Sequence, residues 1–340
     1  MKKKSAIISI CILLILTIGG ITIISLLSSR PIQSSASPYL YIDEDDTFDS
    51  ICIKMERDLD AKSLTGLKFL GMCSKYKNHI HTGAYKFTSE DDTWKIFKDL
   101  KAGHQTPVKM VVPSTRTIGQ LIQRVAPQIM ADSASICQLL NDSLFCDSLG
   151  FNKQTLPAFF IPNTYEVYWN MDARAFIRRL HREYKVFWNK KRREQAKALN
   201  LDPIEVSTLA SIVEEETANN AEKPKVAGLY LNRLNIGMPL QADPTIKFSL
   251  QDFGLKRILF KHLEVDSPYN TYKNIGLPPG PIRIPSVVGL NSVLNRDNHN
   301  YLYMCAKEDF SGTHNFARTL SQHMNNARRY QQALNRLKIK

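Results

Sequence analysis

The sequence has few of the residue patterns that hold metal ions or disulfide frameworks. Its six cysteines include no Cys-x-x-Cys pair, although Cys137 and Cys146 are close enough in sequence to form a local bridge in an oxidising compartment. Its eight histidines include no His-Glu-x-x-His pair, and His314 with His323 is too sparse a set for a metal site. We therefore predict neither a metal nor any other cofactor.

Glycine, proline and acidic residues are also scarce. The 15 glycines and 16 prolines among 340 residues, with 43% hydrophobic residues, exclude a low-complexity chain and favour a folded protein long enough for two domains. The 32 acidic residues are outnumbered by 45 Lys and Arg, so the net charge is +13, which favours an anionic partner. No signature of a nucleic-acid-binding module is present, so nucleic acid is not among the predicted partners.

Charge is missing altogether from residues 6–27. The stretch is long enough to cross a bilayer, which takes about 20 apolar residues, and the lysines at positions 2 to 4 mark the cytoplasmic side. We predict a cytoplasmic tail (1–5), a single transmembrane helix of the inner membrane (6–27) and an extracytoplasmic remainder. A cleaved signal peptide is the alternative, because residues 34–37 are small.

The rest of the chain predicts an α+β protein with two units behind a tether rich in Ser and Pro (28–40). Residues 41–107 predict a small α+β domain, and residues 108–340 predict a larger mixed α/β domain. The predicted helices cover 49–59, 93–100, 116–125 and 133–143, and the predicted strands cover 81–87 and 107–113.

Positive charge is concentrated at residues 174–193, where nine basic residues accompany one acidic residue. Phe176, Leu180, Tyr184 and Phe187 recur there at helical spacing, which predicts one long amphipathic helix with a solvated basic face. The alternative is a surface that attracts an anionic membrane or polymer.

Three consecutive glutamates close a predicted helix at 203–217. Glu216 follows Leu209, Ile212 and Val213 by seven, four and three positions, so it shares their apolar face while the other two glutamates point elsewhere. A carboxyl group among aliphatic side chains loses hydration, so its pKa rises and it can donate a proton near neutral pH. This is the profile of a glycosidase's general acid. The alternative is a solvated acidic run near a helix end.

Stiff polar segments follow this helix. A second helix around residue 226 places Arg233 on its buried stripe, where it needs a carboxylate or several carbonyl groups; a structural ion pair is the simplest interpretation. Two prolines hold Gln241 and Asp243 on a stiff loop, and residues 269–272 form another polar segment. Amide, carboxylate and aromatic side chains on such loops suit carbohydrate, although each segment alone is also typical of a turn.

The end of the second domain predicts one further strand. Residues 301–306 have the pattern of a buried strand, and residues 312–316 read as the loop after it.

Seven segments of the second domain resemble, in order and spacing, the endolytic murein transglycosylases (MltG, YceG-like), single-span proteins that cut nascent peptidoglycan strands. These segments are 210–217, 232–234, 237–238, 240–245, 269–272, 276–282 and 314–316. A fainter match at 81–87 resembles the LysM-like domain of that family. The chain departs from the family pattern at 113–115, Asn163 and Ala242, which concern loop contacts rather than Glu216.

The resemblance implies a transmembrane helix, a small LysM-like domain, a catalytic domain and peptidoglycan lytic transglycosylase activity. It assigns catalysis to Glu216, the residue that the spacing also indicates. In this reaction the C6 hydroxyl of the muramoyl residue attacks the anomeric carbon and leaves a 1,6-anhydro end, so one glutamate can donate a proton and later accept one. The residues expected to position the sugars are Gln241, Asp243, Tyr269, Asn270 and Tyr272.

Two other functions stay open at this point. A muramidase with Asp243 as its second carboxylate would hydrolyse the same bond and leave reducing ends. A non-catalytic scaffold would bind glycan strands without shortening them. The expected partners are peptidoglycan strands and the inner membrane, and further candidates are peptidoglycan synthases and the division or elongation machinery.

Overall fold

The structure is a computed structural model that describes residues 2–33, 39–255 and 257–337. The centre of the predicted tether and the small residues of the alternative signal-peptide site, 34–38, lie outside the described residues. The chain forms two compact units, Met1–Met110 with Glu166–Met171, and Val111–Tyr165 with Asp172–Lys340. The mixed helix and strand content predicted from the sequence is confirmed, whereas the assignment of residue ranges to LysM-like and catalytic domains stays a prediction.

The first unit combines helices with one small antiparallel sheet. Its helices are α1 (Lys2–Leu27), α2 (Phe48–Asp58), α3 (Thr65–Cys73) and α4 (Thr93–Ala102), and its strands are β1 (Tyr39–Ile42) and β2 (Gly83–Lys86). The strands pair with Tyr39 opposite Lys86 and Ile42 opposite Gly83. Side chains from α2, α3, α4 and both strands form one buried apolar core, so the amphipathic patterns that predicted these elements also build the unit.

Helix α1 is the one described helix that is long and apolar enough to cross a membrane, over Ile7–Leu27 with a mean hydropathy of 2.9. None of this window is buried within the protein. A helix whose apolar side chains are exposed along this window is compatible with a single-pass membrane anchor.

Strands β3 (Val108–Val112) and β4 (Asn163–Val167) pair in a two-stranded sheet. Most of the second unit is helical. Its helices are α5 (Ile118–Val125), α6 (Ser133–Asn141), α7 (Ser143–Ser148), α8 (Ala173–Phe187), α9 (Lys190–Ala198), α10 (Pro203–Glu216), α11 (Lys223–Asn235), α12 (Asp243–Leu250), α13 (Phe260–Leu263), α14 (Val287–Leu294) and α15 (Leu320–Arg336). The remaining strands, β5 (Tyr303–Ala306) and β6 (His314–Ala317), form an antiparallel hairpin.

Helix α10 is the buried centre of the second unit. It begins at a capping box in which Asp202 and Glu205 accept each other's backbone N–H, with Pro203 in the first turn. Residues 206–213 are all buried, and α10 packs against α11, α12 and α14. Gly289 allows the close approach of α14, because a Cβ atom there would lie 2.5 Å from a carboxylate oxygen of Glu214. The end of α10, with Glu216, is therefore held rigidly.

The basic stretch forms two helices, so the prediction of one long helix is wrong. The break lies at Trp188, which is buried, and at Asn189, whose side chain accepts the backbone N–H of Arg192 and starts α9. The helical spacing is interrupted here because the Asn189 side chain satisfies a backbone N–H at the start of a new helix and the Trp188 ring is buried in the core.

Three local predictions near the end of the chain also need correction. Asp243 is not in a loop but begins α12, since Pro244 suits the first turn of a helix. His314 lies in β6 and not in a loop, because its backbone pairs with Ala306. Strand β5 is only half-buried, since the hairpin has two strands and packs on α15.

The six cysteines are all free thiols in the described chain, so Cys137 and Cys146 do not form a bridge. The Cys146 thiol instead donates to the carbonyl oxygen of Leu140 at 3.3 Å.

Candidate active site

A cavity of about 240 Å³ opens at the end of α10 within the second unit. Helices α10 and α11, the segment that leads into α12, the turn at residues 269–272 and the β5–β6 hairpin each contribute to its wall. The lining residues are Glu216, Leu229, Tyr230, Arg233, Leu240, Gln241, Asp243, Tyr272, Met304, Cys305, Ala306 and His314. The wall of the cavity therefore combines polar and charged groups with aliphatic, thiol and thioether side chains.

Glu216 is the last residue of α10, and only part of its side chain reaches the solvent in the cavity. Burial raises the pKa of its carboxyl group to about 7, and the negative charge of Asp243 acts in the same direction. The hydroxyl of Tyr230 donates to Oε1 at 2.8 Å, and this bond opposes the rise in pKa, as do His314 and Arg233. The group is consequently protonated in a large fraction of molecules at neutral pH.

The apolar surroundings of Glu216 do not come from its own helix. Leu209, Ile212 and Val213 are fully buried but do not line the cavity, because α10 is covered on all sides. The aliphatic side chains that do line it are Leu229 and Leu240, from α11 and from the segment after it. The helical spacing thus singled out the glutamate that faces the cavity, but tertiary packing supplies the low-dielectric wall.

The two preceding glutamates point away from the cavity, as the helical spacing predicts. Glu214 accepts from Lys223 Nζ at 3.0 Å and from the hydroxyl of Ser286 at 2.7 Å. Glu215 accepts from Arg283 at 2.6 Å and from Arg116 at 3.0 Å. Of the three carboxylates in this run, only Glu216 faces the cavity and lacks a salt bridge with Lys or Arg.

Arg233 is buried, as its place on the α11 stripe predicts, but the ion-pair interpretation is wrong. Its Nε donates to the carbonyl of Leu302 at 2.6 Å and its Nη1 to the carbonyl of Leu240 at 2.6 Å. No carboxylate in the described chain lies within 4.0 Å of its guanidinium nitrogens. Arg233 therefore brings a positive charge to the cavity and ties the segment before Gln241 to the start of the hairpin.

Gln241, Asp243 and Tyr272 meet in the cavity, as expected for residues that position a ligand. The hydroxyl of Tyr272 donates to Asp243 Oδ1 at 2.6 Å, and burial together with this bond raises the pKa of Tyr272 well above its usual range. Gln241 adopts a left-handed backbone conformation (φ 49°), and its N–H donates to the carbonyl of Thr271 at 3.0 Å. The two polar segments are thus joined through backbone and side-chain hydrogen bonds.

Tyr269 and Asn270 do not line this cavity. Asn270 is fully buried, and its amide donates to the carbonyls of Leu263 and Val265 at 2.9 and 2.8 Å. The ring of Tyr269 packs against Phe248 with a centroid distance of 4.6 Å. Both residues hold the turn that carries Tyr272.

Two cavity residues were not assigned a role from the sequence. Tyr230 carried only the signal of an apolar helix stripe, which does not reveal that its hydroxyl bonds Glu216. His314 lies 98 positions after Glu216 (314 − 216) and reaches the site through the hairpin, so its one sequence signal was that it belongs to the matched segment 314–316, which gave it no role.

These features define a mixed α/β protein with an N-terminal apolar helix and a polar cavity built around a protonatable carboxyl group. The pattern of the YceG-like family matches residues 40–329, so the chain belongs to that family. The resemblance inferred from the sequence motifs is confirmed.

Two similar curated proteins are named endolytic murein transglycosylase. The protein of Bacillus subtilis (strain 168) is 44% identical over 116 residues, which cover 34% of this chain and 31% of the relative. The protein of Streptococcus pneumoniae (strain ATCC BAA-255 / R6) is 27% identical over 270 residues, covering 68% of this chain and 48% of the relative. The chain thus spans less than half the length of these relatives.

A solved structure has the same fold. The crystal structure of a YceG-like protein from Listeria monocytogenes has a TM-score of 0.55 and is 25% identical, covering 84% of this chain and 97% of that one.

Proposed function

We propose that this protein is a membrane-anchored endolytic lytic transglycosylase that cleaves the MurNAc–GlcNAc bond of nascent peptidoglycan and leaves 1,6-anhydro-MurNAc ends. The observation that carries the proposal is the Glu216 carboxyl group, whose pKa is raised to about 7 in a polar cavity. Membership of the YceG-like family and the names of its relatives support the same reaction class.

In the proposed reaction Glu216 is the general acid. Its proton passes to the glycosidic oxygen as the bond to the anomeric carbon breaks, and the C6 hydroxyl of the muramoyl residue attacks that carbon. Because the attacking hydroxyl belongs to the substrate, no bound water is needed, and the ring geometry supplies a high effective concentration. The Glu216 carboxylate formed in the first step can in turn accept the hydroxyl proton, so a single carboxyl group closes the cycle in this simplest scheme.

The sugar-positioning residues are proposed to be Gln241, Asp243 and Tyr272, which line the cavity with Glu216. The Asp243–Tyr272 pair offers a fixed oxygen acceptor and an aromatic face, and the Gln241 amide offers a donor and an acceptor. Tyr269 and Asn270 are proposed to act indirectly, since they fix the turn before Tyr272.

The first unit is proposed to be the LysM-like domain of the family, carried on helix α1 as a single-pass anchor with a cytoplasmic N-terminus. The glycan strands would then meet the second unit on the outer side of the inner membrane. Peptidoglycan synthases and division or elongation machinery are the proposed protein partners, because their nascent strands are the substrate.

Hydrolysis is the second candidate function, and one observation favours it. Asp243 is a second carboxylate in the cavity of Glu216, and a muramidase needs a base or nucleophile besides its general acid. Its bond from Tyr272 keeps this carboxylate in place.

Mass spectrometry of the products from purified glycan strands and the full-length protein in detergent tests both candidates. Anhydro ends support the transglycosylase, and reducing ends would replace it with the muramidase. Glu216→Gln keeps the side-chain shape but removes the transferable proton, so we expect the cleavage rate to fall by about 10²–10⁴-fold. The matched control is Glu194→Gln, the same change on a side chain that is 64% exposed in α9. Glycan binding without cleavage by the unaltered protein would instead indicate a scaffold.

A further inference from the structure

A buried carboxylate outside the glutamate run that ends α10 binds a histidine that lines the cavity. Glu222 is buried just before α11, and its Oε2 lies 2.8 Å from Nδ1 of His314. Its Oε1 accepts the backbone N–H of His314, also at 2.8 Å, and the hydroxyl of Thr217 donates to Oε2 at 3.1 Å. The two bonds to His314 fix its strand position and its ring orientation, and the bond from Thr217 holds the Glu222 carboxylate in place.

The bond to Glu222 also decides which ring nitrogen is reactive. An ionised carboxylate only accepts hydrogen bonds, so Nδ1 carries the hydrogen and Nε2 holds a lone pair when the ring is neutral. Nε2 has no hydrogen-bond partner among the described residues, and it is accessible to solvent rather than buried. His314 lines the cavity together with Glu216. A neutral nitrogen base with an oriented ring is therefore accessible in the space that holds the proposed acid.

We propose that His314 is a second catalytic residue, whose Nε2 accepts the proton of the attacking hydroxyl after Glu216 has protonated the leaving oxygen. This inference rests on the proposed function and replaces only its last proton transfer. In the simplest scheme Glu216 serves both proton transfers, one after the other. C6 lies on the same face of the muramoyl ring as the β-linked leaving oxygen, so O6 attacks only after that oxygen has departed, and a separate base can then take the O6 proton.

The step balances in atoms and charge. The bond from the anomeric carbon to the leaving oxygen breaks first, and the positive charge that this leaves on the ring is neutralised when the bond from O6 to that carbon forms. The O6 proton moves to Nε2, and the Glu216 proton moves to the leaving oxygen. The imidazolium and the Glu216 carboxylate that result are restored by a proton passing from one to the other through solvent. The buried Glu222 carboxylate stabilises the imidazolium while it exists, as a buried acid does for the histidine of a catalytic triad.

His314→Asn is the sharpest variant, because an asparagine amide can still donate to Glu222 near the position of Nδ1 while the Nε2 base is lost. We expect kcat to fall by about 10²–10⁴-fold with KM nearly unchanged. The pH profile should keep its alkaline limb, which requires protonated Glu216. The other titratable or charged groups that face this space are Glu216, Glu222, Tyr230, Arg233, Asp243 and Tyr272.

His314→Ala provides an independent readout, because added imidazole can enter the vacated space and replace the base. We expect imidazole to restore part of the rate in this variant and to have no effect on the unaltered protein. Glu222→Gln should lower kcat by about tenfold, since the hydrogen bond can persist but the charge that stabilises the imidazolium is gone.

The unfolding temperature and glycan binding show whether the His314→Asn protein is folded. If the folded variant keeps more than a third of the parental kcat, the proposal is overturned. The proposal would also be overturned if imidazole did not restore cleavage by folded His314→Ala protein. Neither result touches the assignment of Glu216, which is tested by Glu216→Gln alone. Conversely, a fully active Glu216→Gln variant would remove the proposed function whatever His314 does.

Discussion

Two sides of one helix end carry neighbouring glutamates in opposite environments. On the closed side, Glu214 and Glu215 are paired with Lys223, Arg283 and Arg116. On the open side, Glu216 has a tyrosine hydroxyl as its hydrogen-bond partner and a raised pKa. The same residue type is structural where it forms a salt bridge with Lys or Arg and a candidate acid where it does not, so the direct partner decides the role.

Removing a cation on the closed side is expected to have the largest effect on stability. Lys223→Met would leave Glu214 nearly buried without its partner, since the two side chains are only 4% and 12% exposed. Breaking a buried ion pair from one side costs about 3–5 kcal/mol of unfolding free energy. Denaturant unfolding measures this loss, and a change below about 1 kcal/mol would mean that Glu214 needs no cation there.

On the open side, the raised pKa of Glu216 should make the free energy of unfolding depend on pH. The pKa of Glu216 is raised from 4.5 to about 7 by burial, so the folded protein binds more protons than the unfolded chain between those values. The stability contributed by this group is therefore present at low pH and falls as pH rises through that window, by about 3 kcal/mol in total. Glu216→Gln should lack this decline, and parallel stability curves for the two proteins would contradict the raised pKa.

Tyr230→Phe sharpens the comparison by removing the hydroxyl that bonds Glu216 at 2.8 Å. This bond lowers the Glu216 pKa, and burial raises it. We therefore expect the alkaline limb of the cleavage profile to move to higher pH, together with a loss of about 1 kcal/mol of stability. A limb that moves to lower pH would show that Tyr230 favours the protonated carboxyl group.

The smallest effect is expected from Arg116→Met on the closed side. Arg116 is 43% exposed, and Glu215 keeps its shorter bond to Arg283 at 2.6 Å. An exposed ion pair contributes about 0–1 kcal/mol, so this variant serves as the matched control for Lys223→Met. A loss as large as that of Lys223→Met would show that the total charge on the closed side, and not the burial of each ion pair, determines its contribution to stability.

Local patterns predicted the elements around the site well. The helix that ends at Glu216, the helix that carries Arg233 and the strand at β3 all have the expected positions. They failed where one side chain redirects the backbone, as Asn189 does between α8 and α9, or where Pro244 begins α12 at Asp243. A cap or a turn depends on one or two residues, whereas a periodic pattern is judged over ten or more residues. A periodic pattern can therefore hide a cap or a turn.

The sequence by itself determined that Glu216 differs from its two neighbours, because helical geometry places consecutive side chains about 100° apart. It also determined the family, since the motifs stand in order along the chain. Only the tertiary structure decided what surrounds that carboxyl group. Leu229, Leu240 and His314 come from other elements, and desolvation depends on everything within a few ångströms in space, however far away in sequence.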